Sequence, residues 1–371
     1  MFRQRFAFYT LAVVTACWFP PHAAFAYDSA QWEKTVAAAK QEGRVVVIGP
    51  AGADVRDAFT RGFQEKYPEI KVDFSGMSGS QVAPKLLTEL SARVYRTDFV
   101  IAGTTTAIAS MIPANAIVPI QPFLVGPESQ NESKWLGGKF EYSDNAGKYN
   151  LVYGNRVQVA FVYNPKLLPK GKIKSWKDFL NPDLKGKIGM RDPRRAGAAL
   201  GWVTYWYVKG DLGLGKEFVR KFFATQDVFI SNDERQLLDF IARERFPLAI
   251  GPSGVLAFEY NSKGLPVDLF GSADLAEGGV LSASNGTLMI PRGSPHPNAT
   301  KVYMDYLLSR EGQTAWTRAS GLTSRRLDVP HDHIPAVLVP KPGVKYLEDY
   351  KEPFVVLRDE VVDFLRTVLS R

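Results

Sequence analysis

Cysteine is nearly missing from this 371-residue chain, since Cys17 is the only one and it lies in a stretch that reads as a leader. Without that stretch there is no disulfide, no thiolate nucleophile and no cysteine metal ligand, so stability must come from packed cores. Histidine is almost as scarce, at four residues. His22 lies in the leader, and His296, His331 and His333 stand among prolines. The pair in His331-Asp-His333 has no third ligand nearby and reads as solvated, so no metal site is expected. The chain also lacks a Gly-x-Ser-x-Gly turn, a Walker phosphate loop and a Gly-x-Gly-x-x-Gly after a strand. No strand-end loop offers two carboxylates spaced as acid and base partners. No catalytic machinery is visible, and the chain reads as a non-enzyme with no cofactor.

Long apolar runs are missing as well. Phe6 to Cys17 is shorter than the ~20 residues that span a bilayer. With Arg3 and Arg5 before it and Ala24-Phe-Ala26 after it, the run matches a secretory signal covering residues 1–26. Cleavage after Ala26 and a periplasmic mature protein are expected. Lipidation at Cys17 is the weaker alternative, because Trp18-Phe-Pro-Pro21 is an odd mature start. The formal charge of +8 falls to +6 without the two leader arginines. Most of the excess sits in residues 166–195, which carry ten Lys or Arg against three Asp. A nucleic-acid groove would interleave aromatic stacking residues, and only Trp176 and Phe179 occur there. A solvated basic face is expected, with no nucleic-acid partner.

What is present is alternation. The length suits two domains of roughly 150 residues each. Asp28-Ser29 caps a helix that Gly43 ends, and Val45-Val-Val-Ile48 has the two-sided apolar character of a buried parallel strand. Val55, Phe59 and Phe63 keep helical spacing, and Lys71 to Ser75 alternates as a strand. A helix to about Arg93, the strand Asp98 to Ile101 and the loop Gly103-Thr-Thr-Thr106 follow. Pro113 to Tyr149 reads as a covering loop with a helical turn near Glu132. Alternating strands and helices predict a parallel sheet whose strand-end loops converge on one crevice. The loops Gly49–Gly52, Gly76–Gln81 and Gly103–Thr106 fit that description.

After the strand-like run Val157 to Tyr163 comes Asn164-Pro165, and Ser175-Trp-Lys-Asp178 has capping-box spacing. Gly197 to Lys209 is small and aromatic, which suits a buried helix better than a cation cage. Ser231-Asn-Asp233 caps another helix, Leu265 to Phe270 is an edge strand, and Leu281 to Ile290 alternates around Asn285-Gly286. Val302 to about Arg318 is read as one helix. Pro353 to Leu369, with Val356, Val361, Phe364 and Leu365, is a packing helix.

Tyr163-Asn-Pro165, Trp176, Asn181-Pro-Asp-Leu-Lys-Gly-Lys-Ile188 and Asp192-Pro193 resemble the middle signature of periplasmic solute-binding proteins that serve ABC importers, in the ferric-iron or phosphonate-type subgroup. Ala37-Ala-Ala-Lys-Gln-Glu-Gly-Arg-Val-Val-Val47, Ser294-Pro-His-Pro-Asn-Ala-Thr300 and Leu307-Leu-Ser-Arg-Glu-Gly-Gln313 look like the same family. The resemblance implies an α/β fold of two lobes, the type II binding-protein arrangement, each lobe a mainly parallel sheet flanked by helices. It casts 27–157 with 285–326 as lobe one, 158–284 as lobe two and 327–371 as a segment packed on both. The lobes would hinge near Asn155–Gln158 and Ser284–Thr287. The implied role is a monomeric receptor that delivers a small solute to a membrane permease. A chemoreceptor subunit is the alternative partner role, and an enzyme on the same two-lobed fold the rival class.

Iron-binding members of the subgroup use paired tyrosines after a strand of lobe two. The matching place here is Gly251-Pro252-Ser253, which argues against ferric iron. The expected solute is anionic, because guanidinium forks and helix N-termini collect at the strand ends. Candidate ligand-binding residues are Gly52, Ser78, Ser80, Thr104 and Thr105 from lobe one, and Arg156 in the crossover. Lobe two offers Arg194, Arg195, Asn232 and Ser253.

Overall fold

The computed structural model describes residues 27–77 and 79–370, except for the side chains of Ser80 and Val255. The leader 1–26, with its cleavage site, lies outside the described residues. Three sheets organise the chain. In the first, Lys71–Gly76, Arg44–Gly49 and Phe99–Ile101 run parallel in that spatial order. Thr287–Pro291 joins Phe99–Ile101 in antiparallel register, bringing a late stretch of sequence beside an early one. The second sheet runs in the order Phe229–Ser231, Ile188–Arg191, Leu248–Ile250, Val159–Tyr163, Asp268–Gly271. Its first three strands are parallel and Val159–Tyr163 is antiparallel to its neighbours.

Each of these two sheets is the centre of a lobe, and the local sequence explains the helices around it. Asp28 caps Ser29–Glu42 by accepting from the Gln31 N–H at 3.0 Å, and Gly43 closes that helix at φ 69°, where a side chain would be strained. Phe63 is fully buried and meets Tyr303 edge-on at 5.1 Å between ring centroids. Burying each such ring contributes roughly 1.5–3 kcal/mol. In lobe two the helix Ala198–Val208 is buried along almost its whole length. Trp202 and Trp206 pack on Trp176 at 4.8 and 5.0 Å, so the aromatic cluster is core. Ser175 and Asp178 form the capping box, on a short 3-10 helix, Trp176–Leu180.

The third sheet joins the lobes. Its order is Thr323–Ser324, Gly154–Val157, Gly279–Ser282, Tyr346–Glu348. The chain passes from Gly154–Val157 to Val159–Tyr163 through Gln158, and returns from Gly279–Ser282 to Thr287–Pro291 through residues 283–286. Two crossings with one residue and four residues between strands make the hinge.

Several elements differ from expectation. Leu281 to Ile290 is two strands, because Gly286 turns back onto Ala283, its N–H donating to that carbonyl at 2.6 Å. Thr104 begins a helical turn that continues as the π-helix Thr106–Met111, since Ala107, Ile108 and Met111 are all buried and hold it down. The late helix breaks at Ser309, whose hydroxyl oxygen caps a second helix by accepting from Gly312 N at 3.1 Å. In the C-terminal helix Glu352–Leu369, Val361 and Leu365 are buried while Val356 faces solvent. No described helix is long and apolar enough to cross a membrane. His331 accepts from the Ser324 N–H at 3.1 Å beside the hinge sheet, so it is engaged instead of solvated.

Candidate functional site

Parallel strands end on one edge, and the loops beyond them must meet. In lobe one the Met77 N–H donates to the Gly49 carbonyl at 2.8 Å, tying the first two loops. Gly76 lies so near Ala51 that a Cβ on it would come 2.9 Å from the Ala51 Cα. The Thr106 hydroxyl reaches the Gly79 carbonyl at 3.5 Å, which brings the third loop alongside. Gly52 is exposed at the start of Ala53–Lys66 with φ 141°. Thr104 is buried and Thr105 half-buried. Ser78 lies outside the described residues, and Ser80 sits in the helix Gly79–Ser91.

The strand ends of lobe two are joined by one carboxylate. Glu234 takes an ion pair from Arg191 Nη1 at 2.7 Å and a hydrogen bond from the Ser253 N–H at 2.9 Å. Gly197 leaves room for that arginine, since a Cβ there would lie 2.8 Å from Arg191 Nη1. Asp192 donates its N–H to the Ser231 carbonyl at 3.1 Å. Its carboxylate grips Arg194 through Nε and Nη2, both at 2.9 Å, and those bonds hold the Asp192 pKa below the usual carboxylate range. Arg194, Arg195 and Asn232 are exposed, and Ser253 is half-buried.

Between the walls the hinge sheet presents a row of three polar residues. Arg156 pairs with Ser282 across two strands, and the register Leu281 with Glu348 carries the row on to Asp349. Asp349 is buried, with its N–H donating to the Leu281 carbonyl at 3.0 Å. Burial pushes its carboxyl up to about 6, against the opposing pull of Arg358, a Ser282 hydrogen bond and Arg156. Arg156 keeps some exposed surface, yet loss of water lowers its pKa, with Asp349 opposing that shift. Gln158, two residues on and so on the same strand face, reaches the Ala198 carbonyl at 3.4 Å at the start of a lobe-two helix.

The C-terminal helix completes the row. Arg358 donates from Nη1 to Thr105 Oγ1 at 2.7 Å and from Nη2 to the Asp349 carbonyl at 3.2 Å. Its Nη2 also lies 3.8 Å from Asp349 Oδ2. Thr105 of lobe one and Arg156 of the crossover thus share one cluster with two residues that sequence reasoning missed. Arg358 hides in a helix whose stripe signals only packing, and nothing local marks Asp349 as buried. Arg194 and Arg195 lie on the opposite wall, outside this cluster.

The arrangement is a hinge sheet between two lobes with polar donors gathered beside it. The sequence profile of the bacterial extracellular solute-binding proteins matches residues 57–337, well over half of the chain. The chain belongs to this family. Solved structures similar to this solute-binding protein include iron-bound HitA from Pseudomonas aeruginosa, 18% identical with a TM-score of 0.63, over 88% of this chain and 99% of that one. AfuA from Actinobacillus pleuropneumoniae, with fructose-6-phosphate bound, is 18% identical at a TM-score of 0.62, over 89% and 99%. The Trichodesmium protein IdiA, or FutA, in complex with iron and citrate, is 14% identical at 0.68, over 89% and 100%. At these identities the likeness shows the two-lobed type II fold. No curated protein sequence matches the chain.

Proposed function

We propose that this solute-binding protein is the receptor of an ABC importer, capturing a small anionic solute between its lobes and handing it to a membrane permease. The observation that carries the reading is the hinge: two short crossings that join two separate sheets. Family membership supports it, as do neighbours crystallised with iron, citrate or a sugar phosphate. The proposed lobe limits are 27–157 with 285–326, and 158–284, with 327–371 packed on both. Export by the leader, with cleavage after Ala26, and a monomeric state belong to the same proposal.

An anion suits the walls. Arg156, Arg194 and Arg195 bring positive charge, and Gly52, Ser78, Ser80, Thr104, Thr105, Asn232 and Ser253 are the proposed hydroxyl, amide and N–H donors. Ferric iron as cargo fits poorly, because the strand end at Ile250 leads into Gly251-Pro252-Ser253 without tyrosine. Tyr205 is committed elsewhere, its hydroxyl donating to the Glu277 carbonyl at 2.7 Å. Among the described residues no group of three His, Cys, Asp or Glu side chains is placed to hold a metal.

A thermal-shift screen of phosphonates, phosphates, carboxylates, amines and ferric salts on the mature protein tests the proposal. Ligand binding to the folded state raises the melting temperature by mass action. The expected hits are anions. A cationic or neutral best ligand would sink the anionic assignment, and no hit of any class would sink the receptor reading.

A further inference from the structure

The hinge row is short of negative charge. Two guanidinium groups, Arg156 and Arg358, converge on one carboxylate, Asp349. Arg358 Nε is buried with no hydrogen-bond partner. Arg156 is partly exposed, and the carboxylate whose charge acts on it is Asp349. Buried donors are seldom left unpaired, and a guanidinium less so than most. We propose that Arg358 of the C-terminal helix, together with Arg156, is the seat for the carboxylate or phosphate group of the solute. The inference rests on the receptor reading and names the residues that hold the charge.

Position and chemistry agree. Arg358 is tied to lobe one through Thr105, while Asp349 and Arg156 lie on the hinge sheet. Lobe two touches the same spot at Gly201, where a Cβ would lie 3.3 Å from Gln158 Nε2 and 3.8 Å from Asp349 Oδ2. A group seated here meets both lobes and the hinge, so its contacts depend on closure. The unpaired donor of Arg358, its buried Nε, belongs to a planar guanidinium whose shape fits a carboxylate or a phosphate and which an ammonium would not reproduce. Asp349 keeps the two cations aligned without neutralising both. Burial holds its own carboxyl up to about 6, so the cluster is more positive still in mild acid. Arg194, in contrast, already has its Nε–Nη2 fork filled by Asp192. The C-terminal segment therefore acts as a third wall of the cleft.

Calorimetric titration of the mature chain with citrate and with inorganic phosphate, at ionic strength matched by chloride, tests this. The folded wild type should bind at least one of them saturably. Arg358→Gln and Arg156→Gln should weaken that binding about thirtyfold or more. Arg358→Lys should recover part of the loss, as a point charge without the fork. Arg366→Ala removes an exposed charge on the same helix that is paired with Asp363, and it should stay within about threefold of wild type; Arg194→Ala and Arg195→Ala are titrated beside it. Should Arg156→Gln fail to fold, the Arg358 pair, checked by circular dichroism, carries the test alone. Undiminished affinity in Arg358→Gln would overturn the seat and leave the receptor reading standing. So would a loss confined to the Arg194 and Arg195 variants. A folded wild type that binds neither probe overturns the seat, while the receptor reading fails only if no solute of any class binds.

Discussion

Gly286 is where the two crossing chains touch, and replacing it with alanine tests that packing directly. Its carbonyl accepts from the Tyr153 and Gly154 N–H groups at 2.9 and 3.1 Å. A Cβ at 286 would fall 2.4 Å from the Gly154 carbonyl oxygen, 2.8 Å from its carbon and 2.9 Å from the Ala283 oxygen. All three atoms are backbone, so no side chain can rotate away. Gly154 cannot retreat either, because it lies against Trp316, whose ring would meet a Cβ there at 2.5 Å. Overpacking typically costs 1–3 kcal/mol, and a clash with fixed backbone belongs at the top of that range, about 3 kcal/mol. For a chain of this size the melting temperature should fall by roughly 5–10 °C. Gly210→Ala is the control, since nothing lies within 4 Å of its Cβ position. There the loss of unfolded-state freedom should leave stability equal or up to about 1 kcal/mol higher. Thermal unfolding followed by circular dichroism reads both. A Gly286→Ala protein that melts with Gly210→Ala would refute the close crossing.

Three further outcomes are expected. Asp349 has its carboxyl raised by burial from 3.8 to about 6 in the folded state, so its contribution is fully present below the unfolded value and is lost as pH rises through the folded one. Relative to Asp349→Asn, wild type should therefore lose up to about 3 kcal/mol between pH 4 and pH 7 in urea unfolding, and a flat difference would contradict the burial. Trp206→Ala empties a site packed by Trp176, Phe218 and Phe222 and should cost about 3–5 kcal/mol; unchanged stability with lost binding of a quaternary amine would instead favour a cation cage. Arg194→Ala breaks a pair whose arginine is 43% exposed, so the stability cost should stay below about 1 kcal/mol by chemical denaturation.

Much of the fold was legible because its signals are local. The capping box at Ser175, the stop at Gly43 and the apolar run at Val45 each act within a few residues, and the structure follows them. The alternation also leads to the observed parallel strands. Misreadings occurred where a nonlocal contact decided the outcome. Leu281 to Ile290 alternates like one strand, but the turn at Gly286 exists because another chain segment crosses there. Ser309 splits a helix whose two halves share one apolar pattern. At the candidate site, Thr105 and Arg156 stood out as candidates from their places at a strand end and in a crossover. Asp349 and Arg358 were not, since only the lateral register of the hinge sheet puts them beside Arg156, and burial of a charge leaves no mark in the flanking residues.

Hinge closure is the central claim, and small-angle scattering tests it most directly. A solute that contacts both lobes must favour the closed state by its differential affinity for it. With the best anion from the screen at saturation, the radius of gyration of the mature protein should fall, and with Arg358→Gln it should fall less at the same concentration. A scattering profile that superposes on the free protein at saturating solute would contradict the account.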